Sequence, residues 1–275
     1  MSSPTFLAIG GKIEFRIGYD ARLSTREVAA SDVHVCELAS GGTAGLGCDV
    51  AVLRLREPVT DVTPIPVATT ALGADLVGQT FTGVGYGTQD ARSTIRGTRR
   101  MASLQLQATT GPGLHAAFPT YEEFASFIDR AEGAGFAASK GDYYRARYDL
   151  RLLDGYEAQL GGAAGNAQVC HGDSGGPLLK VVDGKLAVFG VASTVVGGVK
   201  EVCQNAGSVY ATFGSSAQTL FAAAASDPCD GVPAAGACEG DVAVRCSRAD
   251  EGERRVLRTD CSLLAQRCDA AACVD

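Results

Sequence analysis

Apolar positions recur along most of the chain in short alternating runs broken by glycine-containing turns, the period of half-buried β-strands. Asp32-Val33-His34-Val35-Cys36 is one such run, and Pro177-Leu178-Leu179-Lys180-Val181-Val182 reads as another strand whose entry Pro177 fixes. Between about Gln107 and Gly165 the pattern changes. Thr120-Tyr121-Glu122-Glu123 has the form of a capping box, in which a threonine hydroxyl and a glutamate side chain each accept the other residue's backbone N–H. Phe124, Phe127, Ile128 and Ala131 then share one helical face before Gly133, which predicts a helix. Tyr144, Ala146, Tyr148, Leu150 and Leu152 alternate with Arg145, Arg147, Asp149 and Arg151, which predicts a strand turned by Asp154-Gly155. Ser215 or Ser216 is placed to cap a short helix running to Ala225, and Ser226-Asp227-Pro228 ends it.

Composition adds constraints. The chain has 275 residues, room for one large or two small domains and an appendage, and its 46% hydrophobic and 20% charged content is ordinary for a globular protein. A net charge of −7 without a basic run argues against nucleic acid as a partner. No apolar stretch approaches membrane-spanning length, and Met1-Ser2-Ser3-Pro4 lacks the basic region and hydrophobic core of a signal peptide. The 10 cysteines point elsewhere: Cys36, Cys48, Cys170 and Cys203 lie in the body, and Cys229, Cys238, Cys246, Cys261, Cys268 and Cys273 crowd the end. Even numbers in both regions read as disulfides, hence an oxidising, extracellular setting. The final segment has no histidine and no Cys-x-x-Cys pair, so a zinc site is not expected; no metal or cofactor is implied. It is too short for a large core and relies on disulfides, whose connectivity the sequence leaves open. It either binds a surface or polymer or protects the terminus.

The most specific chemistry lies in Gly172-Asp173-Ser174-Gly175-Gly176-Pro177. A serine hydroxyl is a poor nucleophile until a base takes its proton, and acyl transfer further needs N–H groups aimed at the developing oxyanion. With Cys170 four residues before the serine, this loop resembles the nucleophile loop of the chymotrypsin (trypsin-like) family of serine endopeptidases. The surroundings share the resemblance. Asp49-Val50-Ala51-Val52-Leu53-Arg54-Leu55 is similar to the segment that begins with the triad aspartate, and Gly83-Val84-Gly85-Tyr86-Gly87 to the turn after the first strand of the second barrel. Phe189-Gly190-Val191-Ala192-Ser193-Thr194 resembles the strand carrying a serine beside the substrate backbone, and Gly207-Ser208-Val209-Tyr210 a later strand. The likeness spans residues from about 13 to 225.

The resemblance implies an all-β, trypsin-like double β-barrel with an incomplete N-terminal barrel and a small disulfide-rich C-terminal module. Residues 1–70 would be the remainder of the first barrel, 71–226 the second barrel with an insertion at about 107–165, and 227–275 the cysteine-rich module, with residues 60–69 crossing between barrels. It implies hydrolysis of protein or peptide substrates, with Ser174 as nucleophile, Asp49 orienting an imidazole, and the Gly172 and Ser174 N–H groups as oxyanion hole. Ser193, Gln168, Val195 and Ser208 would contact substrate. Neutral Gln168 stands where trypsins carry an aspartate, and Val195 and Ser208 where they have glycines, so small or medium uncharged side chains are expected on the acyl side of the cut. Cys170–Cys203 is the disulfide implied, with Cys36–Cys48 the remaining pair in the body.

The base is missing from its place. The chain has 3 histidines. His34 stands too close to Asp49 and is followed by valine; His115 falls after Asp49, against the family's order; His171 occupies a pocket-rim position. Lys12 to Gly18 resembles the first strand after the histidine loop, so the start is expected to lie inside a longer reading frame, and Ile9-Gly10-Gly11 is not read as an activated terminus. Asp173, which in the family pairs with the new amino terminus, is then expected to leave the loop zymogen-like. The open first barrel is expected to leave the first third poorly folded and the chain inactive. The alternatives are a binding protein on the same fold, or a tail that is the functional part with a degenerate protease attached.

Overall fold

The computed structural model describes residues 13–24, 26–36, 47–68, 70, 72–89, 95–162, 167–196, 207–226, 229–247 and 256–275. The alternating runs near the start pair into an antiparallel sheet of β1 (Glu14–Ile17), β2 (Arg26–Val35) and β3 (Ala51–Leu55), in that order. Phe15 stands opposite Val28 and His34 opposite Val52. Cys36–Cys48 forms as expected and closes the connection from β2 to β3. Among the described residues this sheet stops at three strands, so apolar side chains stay accessible: Phe15 is 49% and Leu53 36% exposed.

The turn between β1 and β2 is clamped to the segment at Thr98. Asp20 accepts the Arg22 backbone N–H at 2.9 Å, Arg22 Nε at 3.0 Å and Nη2 at 2.6 Å, and the Thr98 hydroxyl at 2.9 Å. These bonds, those from Arg22 foremost, hold the Asp20 carboxyl well below the usual carboxylate range. A carboxyl depressed on folding contributes stability above its unfolded pKa, about 4, and loses it as pH falls toward the folded value. Asp20→Asn is therefore expected to flatten the fall of Tm on acidification below about pH 4. Parallel Tm-against-pH curves for the two proteins would contradict this.

Six further strands close a barrel: β4 (Thr80–Gly85), β5 (Arg100–Ala108), β6 (Glu157–Leu160), β7 (Pro177–Val182), β8 (Lys185–Val196) and β9 (Gly207–Thr212), in the order β4-β5-β6-β9-β8-β7. Phe81, Leu104, Leu106, Leu160, Leu178 and Tyr210 fill its interior. Each such fully buried apolar side chain contributes about 1.5–3 kcal/mol. The expected strand over 177–182 is observed with those bounds.

Between β5 and β6 lie four helices, α1 (Gly113–Ala117), α2 (Tyr121–Glu132), α3 (Phe136–Ser139) and α4 (Tyr143–Tyr148). The capping box forms: Thr120 Oγ1 accepts the Glu123 N–H at 3.3 Å, and Glu123 Oε2 the Thr120 N–H at 3.2 Å. Phe124 and Ile128 are fully buried, Phe127 is half-buried, and Ala131 faces solvent. The strand expected over 144–152 is a correction: Tyr144 to Tyr148 is helical. Tyr144 and Tyr148 are spaced by four and share one buried helix face, Leu152 beyond the helix joins the same cluster, and a spacing of four also satisfies an alternating pattern.

After the barrel, α5 (Ser215–Ala225) packs Leu220 against Val50, Ala211 and Phe213. Its N-cap is Gly214, not either serine. Asp227 and Pro228 lie outside the described residues. The tail forms β10 (Ala237–Glu239), β11 (Val242–Cys246), β12 (Val256–Asp260), β13 (Arg267–Asp269) and β14 (Ala272–Val274). Its disulfides are Cys229–Cys246, Cys238–Cys268 and Cys261–Cys273. Among the described residues no helix is long and apolar enough to cross a membrane.

Candidate active site

The loop that enters β7 is built from two consecutive turns. The Asp173 N–H donates to the Cys170 carbonyl at 3.1 Å and the Gly176 N–H to the Asp173 carbonyl at 2.8 Å. Gly172 at φ +90° and Gly175 at φ +80° take left-handed conformations that favour glycine. Two bonds stitch the loop to β8: Gly175 N–H to the Ala192 carbonyl at 2.8 Å and Ala192 N–H to the Gly176 carbonyl at 2.9 Å. Ser174 faces solvent at the tip. Among the described residues, the N–H groups of Gly172 and Ser174 have no protein acceptor.

The Asp173 carboxylate turns inward, beneath the loop. Its Oδ1 accepts the Gly87 N–H at 2.7 Å and its Oδ2 the Cys170 N–H at 2.8 Å. A Cβ on Gly85 or Gly87 would collide with this carboxyl, and one on Gly83 would meet Leu104 and the Tyr210 hydroxyl. Behind it lies a cavity of about 1150 Å³ lined by Asp173, Gln168, Arg100, Tyr210 and the inner face of α2 at Phe127. Burial, with the Asp173 charge second, pushes the Tyr210 phenol up.

Asp49 lies two residues before β3, with its N–H donating to the Gly47 carbonyl at 2.8 Å. Its half-buried carboxylate accepts the hydroxyl of Ser193 at 2.7 Å across 144 positions of sequence. Ser193 is 8% exposed and follows Ala192, to which the Ser174 loop is bonded. Asp49 and the serine loop are thus tied to neighbouring residues of one strand.

The remaining sites named from the sequence fall as follows. Ser208 is fully buried and its Oγ accepts the Val169 N–H at 2.9 Å, next to Gln168. Val195 pairs with Ser208 across β8 and β9. Cys170 is disulfide-bonded, with its Sγ 3.0 Å from Thr88 Oγ1; the implied partner Cys203 lies outside the described residues. His34 is half-buried on β2. His115 stacks on Tyr148 at 4.3 Å, with Nε2 3.4 Å from Asp149, and exposed His171 accepts the Thr88 N–H at its carbonyl at 2.9 Å.

One residue escaped the sequence reading. Glu157 is 2% exposed in β6, where every residue is buried. The run Glu157-Ala158-Gln159-Leu160 carries two polar side chains, so nothing local marks Glu157 as buried. Among the described residues no cluster of His, Cys, Asp and Glu is arranged to hold a metal ion. No protein-family model matches the chain, and no curated protein matches it.

Proposed function

We propose that the chain carries the nucleophile half of a trypsin-like serine endopeptidase, with the three-stranded sheet as part of a first barrel and the closed barrel as the second. The observation that carries this reading is the loop at 170–176, which exposes Ser174 and leaves the Gly172 and Ser174 N–H groups without a protein acceptor among the described residues, while Asp173 anchors it from below. The Asp49–Ser193 bond supports it by bringing the expected carboxylate onto the strand that holds the loop.

In this mechanism Ser174 Oγ attacks the scissile carbonyl and gives its proton to an imidazole held by Asp49. The tetrahedral oxyanion is stabilised by the N–H groups of Gly172 and Ser174. Collapse expels the amine, which takes the proton from the imidazole, and water then releases the acyl group by the same steps. None of His34, His115 and His171 fills the imidazole's role in this reading. Neutral Gln168, with Val195 and Ser208, favours small or medium uncharged residues at the cut. The disulfides are compatible with an extracellular setting.

Chemical rescue tests the reading. With free imidazole as the base, a fluorophosphonate is expected to add to Ser174, as read by intact mass and peptide mapping. Ser174→Ala should abolish the adduct, and Asp49→Ala should remove most of the imidazole dependence. Folded protein that gains no adduct at any imidazole concentration would overturn the reading. The alternative is a non-catalytic binding role for the same cleft. Peptide binding without acylation would select it.

A further inference from the structure

We propose that Glu157 is a positioning residue that holds Asp49 against Ser193. The inference rests on the reading of Ser174 and Asp49 as catalytic partners and adds a residue outside that constellation.

Glu157 opens β6 on the barrel, opposite Ala211 of β9. Its Oε1 accepts the Gly47 N–H at 2.6 Å, reaching 110 positions back along the chain. Its Oε2 accepts the Leu153 N–H at 2.9 Å, where the helical insertion returns to the barrel. A carboxyl group that is 2% exposed is costly to bury, and two backbone donors offset the cost.

The far end of the Gly47 bond is what gives Glu157 its role. Gly47, at φ +69°, accepts the Asp49 N–H at its carbonyl, 2.8 Å away. The Cys36–Cys48 disulfide lies between them, and Val50 packs on Ala211 and Phe213 beside the Glu157 position. The Glu157 carboxyl and the apolar contact of Val50 thus fix the segment 47–50 to the barrel, and Asp49 projects from it to Ser193. The same carboxyl holds the end of the insertion, so the helices and the Asp49 segment share a single anchor.

Glu157→Gln keeps shape but loses half the accepting capacity, because an amide NH2 faces a backbone N–H. Hydrogen exchange is expected to show loss of protection at 47–50 by about tenfold with β4, β5 and β8 unchanged. Imidazole-dependent labelling of Ser174 should fall about tenfold, and in a Ser193→Ala background it should fall no further, since both changes act on the same Asp49 geometry. A purely structural role would lower labelling additively with Ser193→Ala, and that result overturns the inference. Unchanged exchange at 47–50 also overturns it. If the variant does not fold, the wild type decides: a Gly47 amide that exchanges as fast as an exposed loop excludes the anchor. A wild type that never labels sinks the catalytic reading, and the exchange data then judge the anchor by themselves.

Discussion

Alanine at position 173 is expected to slow imidazole-assisted labelling of Ser174 by about a hundredfold or more, comparable to the loss of an oxyanion donor. The effect is transmitted through the backbone. The Asp173 carboxylate is the acceptor for Gly87 and Cys170, and without it two N–H groups lose their partners at a cost of about 1–3 kcal/mol each. The turn between Cys170 and Gly176 would relax, and with it the directions of the Gly172 and Ser174 N–H groups on either side of residue 173. Asp173→Asn should do less harm, since its carbonyl oxygen still accepts one bond. A labelling rate within twofold of wild type in a folded Asp173→Ala protein would show that the loop needs no anchor. Circular dichroism and Tm of the same sample separate a displaced loop from a lost fold.

Phe124→Ala is expected to be the most damaging change to stability in the helical insertion. Phe124 is fully buried, with ring centroids of Phe118 at 5.6 Å, Tyr148 at 5.8 Å and Tyr144 at 6.2 Å. It therefore joins α2 to α4 and to the end of α1 within one aromatic cluster. Removing such a ring costs about 3–5 kcal/mol, enough to open the insertion on its own. Limited proteolysis should then cut within 109–153 while the barrel survives, and urea titration should show an early transition absent from wild type. A single transition with an unchanged midpoint would mean the helices draw their stability from elsewhere.

Local patterns reveal local structure here. The glycine-framed serine loop, the strand after Pro177 and the capped helix after Thr120 are each specified within a few residues, and each forms where the sequence places it. Tyr144 to Leu152 misled because a spacing of four fits both a helix face and every second position of a strand. Buried packing on Phe124 settles the choice, and that partner lies outside the window. Long-range polar contacts were harder still. The resemblance put Ser193 beside substrate, and nothing local says that its hydroxyl meets Asp49 across 144 residues. Glu157 looks like an unremarkable strand residue until Gly47 is brought to it.

The tail's crosslinks overlap along the sequence: 229 with 246, 238 with 268, 261 with 273. Every peptide bond between the first and last of these cysteines is therefore spanned by at least one bridge. A nick anywhere in that stretch releases no fragment. Cut tails would migrate as whole molecules until a reductant is added, so damage there stays silent in size and is visible only as a new pair of chain ends.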